Sequence, residues 1–263
     1  MPLGDLTASL VDPSRTARMA IVARRPGVVA GRLCALETFR QVDPAIGVVW
    51  HAADGTAVVS GTVVAEVTGP MRSVLTAERT ALNFLCHLSG VATATRRVVE
   101  AVAAANPRTR VLDTRKTLPG LRALQKAAVR AGGGLNHRGS LSDGVLLKDN
   151  HLGGVSIGDA VRRALERFPG RAVEVECDVA AQAKEAAQAG AHIVMLDNMT
   201  PEQVADAVGA LRASGSDVLV EVSGGVTLES APAYAAAGAD LLSLGALTHS
   251  SHALDLGLDL LES

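Results

Sequence analysis

Asp113-Thr114-Arg115-Lys116-Thr117, Asn136-His137-Arg138 and Lys148-Asp149-Asn150-His151 gather guanidinium, ammonium and imidazole groups into three short runs. A guanidinium pairs in a fork with carboxylate or phosphate, whereas an ammonium acts as a compact point charge. Runs that mix the two suit a ligand carrying carboxylates and phosphates together. The chain holds only four lysines, Lys116, Lys126, Lys148 and Lys184, against 21 arginines, and two of the four fall inside these runs. Further along stand Glu176 and Asp197, then the turns Ser223-Gly224-Gly225 and Leu244-Gly245-Ala246. The two carboxylates would repel an anionic ligand unless they hold a hard cation or sugar hydroxyls. Magnesium, bound by one or two carboxylates plus phosphate oxygens, meets both demands. The glycine turns suit a phosphate held by backbone amides.

The elements that must position these groups are short apolar strands alternating with alanine-rich helices. Strands are predicted at 110–113, 144–148, 172–176, 192–197, 218–222 and 240–244, at the spacing of βα units, which makes the strands parallel. An α/β barrel is the natural closure, and its carboxyl strand ends converge on one mouth. Arg115 and Lys116 follow the first strand, Lys148 ends the second, Glu176 the third and Asp197 the fourth; the glycine turns follow the last two. Upstream, 19–29 and 58–67 are β-rich, and Asp54-Gly55 predicts a hairpin between 48–50 and 57–59. A helix is predicted over 73–105 from Leu75, Leu82, Leu85 and Leu88, with a break or bend at Ser89-Gly90. The expected domains are 1–105, an N-terminal α/β sandwich-like domain with linking helices; 106–250, the barrel with the site; and 251–263, a C-terminal helix packed on the N-terminal domain.

Composition narrows the classes. The chain has 263 residues, a formal net charge of −2 and a pI near 6.4, so nothing in the balance points to nucleic acid or a membrane surface. Cys34, Cys86 and Cys177 form no CxxC pair, which fits a reducing compartment and argues against a zinc site. The N-terminus lacks a basic region followed by an apolar core, and no run approaches the roughly 20 apolar residues of a membrane span. A soluble cytoplasmic protein is expected. The residues alone point to a magnesium-assisted enzyme acting on a phosphorylated sugar and a small carboxylic acid of open identity.

Each group alone has a plainer reading. Arg115-Lys116 could be a solvated helix start, His137 a structural histidine and Lys148 a salt-bridge partner. Glu176 and Asp197 could cap the following helices, and Ser223-Gly224-Gly225 could be only a turn. Glu174 is read as structural, as are His51, His87, His192, His249 and His252. Independent accidents would not put all the others at successive strand ends.

Glu78-Arg79-Thr80-Ala81-Leu82-Asn83-Phe84-Leu85, Leu88-Ser89-Gly90, Asp113 to Thr117, Pro119-Gly120-Leu121-Arg122, Gly132-Gly133-Gly134, Asn136-His137-Arg138, Lys148 to His151, Met195-Leu196-Asp197-Asn198-Met199 and Ser223-Gly224-Gly225 together resemble the quinolinate phosphoribosyltransferases. The resemblance implies a barrel of about seven strands, one more than the residues predict. It implies magnesium as cofactor, quinolinate and phosphoribosyl pyrophosphate as substrates, and a homodimer with shared sites that can assemble further to a hexamer. Decarboxylating phosphoribosyl transfer yields nicotinate mononucleotide for NAD synthesis.

Carried onto this sequence, the resemblance gives Arg115, His137 and Arg138 to the quinolinate carboxylates, with Thr114 beside them and Arg79 reaching in from the partner. Lys116 and Lys148 neutralise the dianion and pyrophosphate. Glu176 and Asp197 hold ribose hydroxyls and magnesium, and Ser223, Gly224, Gly225, Leu244, Gly245 and Ala246 surround the 5′-phosphate. Lys116, Lys148, Glu176 and Asp197 are the catalytic candidates. Gly139-Ser140-Leu141-Ser142 departs from the family's methionine-glycine pair and tyrosine, which predicts a looser loop; the customary N-terminal helix is also expected to be absent. Competing readings are a molybdenum-transport-associated paralogue, a Schiff-base aldolase using Lys116 or Lys148, and a non-catalytic sensor of phosphoribosyl pyrophosphate.

Overall fold

The computed structural model describes residues 4–261, so the first three and last two residues used in the readings above lie outside it. Two compact units divide the chain. One gathers residues up to Arg96, Ala127–Gly133 and the segment from Ser251; the other is Arg97–Lys126 and Gly134–Ser250.

After a single 3-10 turn at Ala8–Leu10, the first unit opens its sheet with β1 (Thr16–Ala23), whose alternation buries Ala17, Met19, Ile21 and Ala23. It continues through β2 (Gly27–Val28), α1 (Arg32–Val42), β3 (Gly47–Trp50), β4 (Ala57–Val58) and β5 (Val63–Pro70). The predicted Asp54-Gly55 turn exists, with Gly55 at φ +89°. It does not make a hairpin. β3 pairs antiparallel with β5, and β4 pairs with β2. The connection from Trp50 to Ala57 is too long for a two-residue turn to dictate pairing, and the long alternating β5 is the better partner. Phe39 of α1 and Val74, Ala77, Ala81 and Leu85 of α2 (Met71–Ala105) cover the sheet and complete its core.

α2 is one continuous helix of 35 residues, so the break predicted at Ser89-Gly90 is absent. Ser89 instead points sideways: its hydroxyl accepts from Ala30 N–H at 2.9 Å. A Cβ at Gly90 would lie 2.1 Å from the His252 carbonyl oxygen, so glycine serves close approach there. The boundary between units accordingly falls inside α2, after Arg96, and not at 105.

The second unit alternates β6 (Arg110–Leu112), α3 (Arg122–Ala131), β7 (Val145–Leu147), α4 (Asp149–Leu152), α5 (Ile157–Arg167), β8 (Val173–Cys177), α6 (Ala180–Gln188), β9 (Ile193–Asp197), α7 (Pro201–Ala213), β10 (Leu219–Ser223), α8 (Ala231–Ala236), β11 (Leu241–Ser243) and α9 (Ala246–His249). Its six strands are parallel, in the order β6-β11-β10-β9-β8-β7, and form a partial barrel. The seventh strand is reduced to one residue. Leu135 makes a parallel bridge to Leu112, its N–H donating to Val111 O at 2.8 Å.

The predicted C-terminal helix is a strand, β12 (Leu256–Leu260). Leu256-Gly-Leu-Asp-Leu alternates with period two, and β12 pairs antiparallel with β1, giving the first unit the order β12-β1-β5-β3. Among the described residues no helix is long and apolar enough to cross a membrane.

Candidate active site

Strand alternation divides each barrel strand between helices and interior. On β8, Val173, Val175 and Cys177 are fully buried, leaving Glu174 and Glu176 on the opposite face. Register aligns Glu176 and Glu221 with Met195, and Ser223 with Asp197, so side chains form layers along the barrel. The layer at the carboxyl ends lines a cavity of about 370 Å³, bordered by Thr114, Arg115, Lys116, His137, Arg138, Lys148, Glu176, Asp197, Ser223, Gly224 and Gly225.

Nearly the whole predicted constellation therefore shares one cavity. Gly245 stands beside it: a Cβ there would lie 3.2 Å from Lys116 Cδ and 3.3 Å from Thr114 Oγ1. Leu244 is buried, its N–H donating to Leu112 O at 3.0 Å, and Ala246 is exposed at the start of α9. Neither borders the cavity. Arg79 lies on α2 in the first unit, exposed, with its guanidinium 3.8 Å from Glu78.

Glu176 and Asp197 are not spent as helix caps. The Thr200 hydroxyl accepts from Gln203 N–H at the start of α7, and Gln203 Oε1 accepts in return from Thr200 N–H at 2.8 Å. Gln182 Oε1 accepts from the Asp178 and Val179 amides before α6. Asp197 accepts from Asn198 Nδ2 at 2.6 Å, and Glu176 pairs with the Lys148 ammonium. Both carboxylates offer only hard oxygen donors, as magnesium requires. Asp197 fits such an ion directly; Glu176 fits it once Lys148 turns to a ligand.

On the cationic side, Arg122 staples the loops, donating from Nη2 to Arg115 O and from Nη1 to Gly139 O, each at 3.2 Å. The Gly139–Ser142 loop, expected to be loose, is pinned by Asp143, which accepts from Gly139 N–H at 2.8 Å and Ser140 N–H at 3.0 Å. Arg138 donates from Nη1 to Gly144 O at 3.2 Å, but its buried Nε has no partner. Burial, then repulsion from Arg115, lowers the Arg138 pKa. Two guanidinium groups on one cavity, one with an unused buried donor, are chemically suited to an anion.

The glycine turn is conformationally fixed. Gly224 and Gly225 have φ of +86° and +64°, and a Cβ at Gly224 would lie 2.3 Å from Asn198 Oδ1. Among the described residues Asn198 is the one non-glycine with positive φ, at 55°, and its N–H donates to Ser223 O at 3.0 Å. Ser223, Gly224 and Gly225 all border the cavity, where the amides of a glycine turn could receive a phosphate.

Beneath lies a layer that sequence reasoning missed. His137 Nδ1 accepts from Arg138 N–H at 2.8 Å, which places the ring proton on Nε2, 3.0 Å from Glu174 Oε2 and 3.6 Å from Glu221 Oε2. Burial and the nearby Glu174 charge push Glu221 up to about 7. For His137, burial lowers the pKa, but the hydrogen bond to Glu174 and the two carboxylates outweigh it and leave it raised. Glu174 is thus a partner of a site residue and not only structural. The signal available was a glutamate inside a parallel strand rather than at its end, Glu174 in Val173-Glu-Val-Glu-Cys and Glu221 in Leu219-Val-Glu-Val-Ser.

Residues 5–89 match the family described as "Quinolinate phosphoribosyl transferase, N-terminal domain", and residues 91–259 match "Quinolinate phosphoribosyl transferase, C-terminal domain". The chain belongs to the quinolinate phosphoribosyltransferase family. Its similarity to a nicotinate-nucleotide pyrophosphorylase [carboxylating] of Mycobacterium leprae is 44% identity, covering 97% of this chain and 91% of that protein. The namesake from Rattus norvegicus is 40% identical over 96% of this chain and 85% of its own length. A solved nicotinate-nucleotide pyrophosphorylase from Francisella tularensis superposes with a TM-score of 0.93 at 39% identity, covering 99% of this chain and 91% of that one. These quinolinate phosphoribosyltransferase relatives span both units.

Proposed function

We propose that the protein transfers the phosphoribosyl group of phosphoribosyl pyrophosphate to quinolinate with decarboxylation, releasing pyrophosphate and carbon dioxide and giving nicotinate mononucleotide. The observation that carries this reading is the single cavity in which Arg115, Arg138, Lys116 and Lys148 face Glu176, Asp197 and the Ser223–Gly225 turn. The relatives named nicotinate-nucleotide pyrophosphorylase [carboxylating] support it.

Quinolinate carries adjacent carboxylates on a pyridine ring, and Arg115 and Arg138 offer two forked donors to hold them. His137 has both ring nitrogens engaged inward, so in this reading it orients the Arg138 backbone and packs against the ring. Lys148 leaves Glu176 for the substrate dianion, freeing that carboxylate for ribose hydroxyls. The Ser223–Gly225 amides receive the 5′-phosphate beside Lys116 and Gly245. As pyrophosphate departs, the sugar carbon becomes oxocarbenium-like, and the carboxylate side stabilises it while Lys116 stabilises the leaving group. Positioning and electrostatics supply most of the rate. Asp197 would hold magnesium, which would supply charge neutralisation of the leaving group.

The assembly in this proposal is a homodimer in which Arg79 of the partner completes the site, in the cytoplasm, where three free thiols are at home. The test is an end-point assay with magnesium and phosphoribosyl pyrophosphate, quinolinate and nicotinate in separate tubes. Nicotinate mononucleotide with stoichiometric carbon dioxide from quinolinate alone is expected. Turnover of nicotinate instead overturns the decarboxylating assignment.

A further inference from the structure

Loss of the C2 carboxylate from a ribosylated pyridinium breaks the carbon–carboxylate bond and releases CO2, and the electron pair stays on C2 beside the ring nitrogen. That carbon must then take up a proton. The groups assigned to substrate binding are poor sources. Arg115 and Arg138 do not deprotonate, Lys116 belongs to the pyrophosphate side, and Lys148 is committed to countercharge. His137 is closed at both nitrogens, Nδ1 by the Arg138 amide at 2.8 Å and Nε2 by Glu174 at 3.0 Å.

Glu221 differs from all of these. It is fully buried, yet it lines the same cavity as Arg115, Arg138 and Lys148. One carboxyl oxygen accepts from the Ser243 hydroxyl, and the other, Oε2, has no hydrogen-bond partner. Facing it from β8 is Glu174, 3% exposed, whose Oε1 is also without a partner. The groups facing Glu221 are thus Glu174, His137 and Arg138, and Ser243 from β11, while β9 presents Ile193 and Met195. Burial, then the nearness of Glu174, favours the protonated form of Glu221, and that proton gives the orphan oxygen Oε2 a donor of its own.

The same three groups, His137, Glu174 and Glu221, have ligand-type atoms within 4.8 Å of one another, a spacing that a metal ion could bridge. The ring tautomer argues otherwise. With Nδ1 accepting from Arg138 N–H, Nε2 carries the proton and has no lone pair to give a metal.

We propose that Glu221 is the acid that protonates C2 after decarboxylation, an inference that rests on the reaction proposed above. The proton passes from the Glu221 carboxyl to the C2 electron pair as CO2 departs. Glu221 is left as carboxylate, and its burial draws a proton back from solvent before the next turnover. No redox partner or further reactant is required.

The test separates two events in single turnover, pyrophosphate release and formation of nicotinate mononucleotide. In Glu221→Gln the amide keeps the size of the side chain but has no transferable proton. Pyrophosphate release is expected to stay within about threefold of wild type while nicotinate mononucleotide formation falls by about 100-fold or more. Equal losses in pyrophosphate release and nicotinate mononucleotide formation, or no loss in either, overturn the proposal. The wild-type enzyme supplies a second arm that does not depend on the variant folding. Product formation should fall as pH rises through the neutral range while the pyrophosphate burst does not follow, and superimposable pH profiles overturn the proposal. Wild-type enzyme inactive toward quinolinate would instead defeat the proposed function itself, and this inference with it.

Discussion

Lys126 and Asp113 form an ion pair whose side chains are 8% and 0% exposed, under the loop that carries His137 and Arg138. Asp113 also accepts from Asn136 Nδ2 at 2.6 Å and from His137 N–H at 2.9 Å, and Lys126 Nζ donates to His137 O at 3.0 Å. Burial pushes the Asp113 carboxyl up, and these donors pull it back. One buried pair therefore fixes the start of the loop at Asn136 and His137.

Removing one partner of such a pair leaves a buried charge uncompensated, which costs about 3–5 kcal/mol. Lys126→Met keeps the volume but not the charge. Its urea midpoint is expected to fall accordingly, with quinolinate affinity falling alongside as the loop loses its anchor. An unchanged midpoint would mean that Asp113 accepts a proton without penalty and that the pair is not what holds the loop.

The barrel strands were legible because parallel βα units write apolar runs ended by polar residues, and all six lie where the runs predict. The seventh was not, since one bridging residue, Leu135, leaves no periodicity to read. Pairing in the first unit was illegible for a different reason: β4 chooses β2 and β3 chooses β5 through contacts distant in sequence. Gly90 misled because a glycine inside a helix reads as a breaker, whereas here it admits a backbone at contact distance. Residues at strand ends announced themselves as site candidates by charge. Glu174 and Glu221 showed in sequence only as glutamates inside strands, and that both approach His137 depends on strand packing, which no single run contains.

Gly224→Ala should discriminate a phosphate cradle from an ordinary turn. The added Cβ meets Asn198 Oδ1 at 2.3 Å, in a left-handed conformation that costs a non-glycine residue about 1–2 kcal/mol. The turn must shift, and its amides shift with it. Titration calorimetry is expected to show weakened phosphoribosyl pyrophosphate binding, about tenfold or more, with quinolinate binding preserved. Equal weakening of both ligands would place the turn outside the phosphate subsite.

Arg138→Ala probes the opposite side of the cavity. It removes the unpartnered Nε and one of the two guanidinium groups that line the cavity. Charge-assisted hydrogen bonds are worth about 1.5–3 kcal/mol each, so losing a fork should weaken quinolinate binding by about 100-fold or more while phosphoribosyl pyrophosphate still binds. Retained quinolinate affinity in equilibrium dialysis would remove Arg138 from the carboxylate clamp.

A shared site makes a prediction that no single variant can. Arg79 lies on α2 in the first unit, whereas Lys148 lines the cavity of the second. If Arg79 serves the partner's cavity, Arg79→Ala and Lys148→Ala homodimers are each inactive, because every site lacks one group. In a mixed dimer one site carries both losses and the other carries neither. Random reassortment makes half of the dimers mixed, each with one intact site of two, so about a quarter of wild-type activity should return. The measurement is activity after the two inactive variants are co-denatured and refolded together, with each variant refolded alone as the control. Activity that stays at the level of the controls, in preparations that chromatography shows to be mixed dimers, would assign Arg79 and Lys148 to the same subunit's site or remove Arg79 from the site altogether.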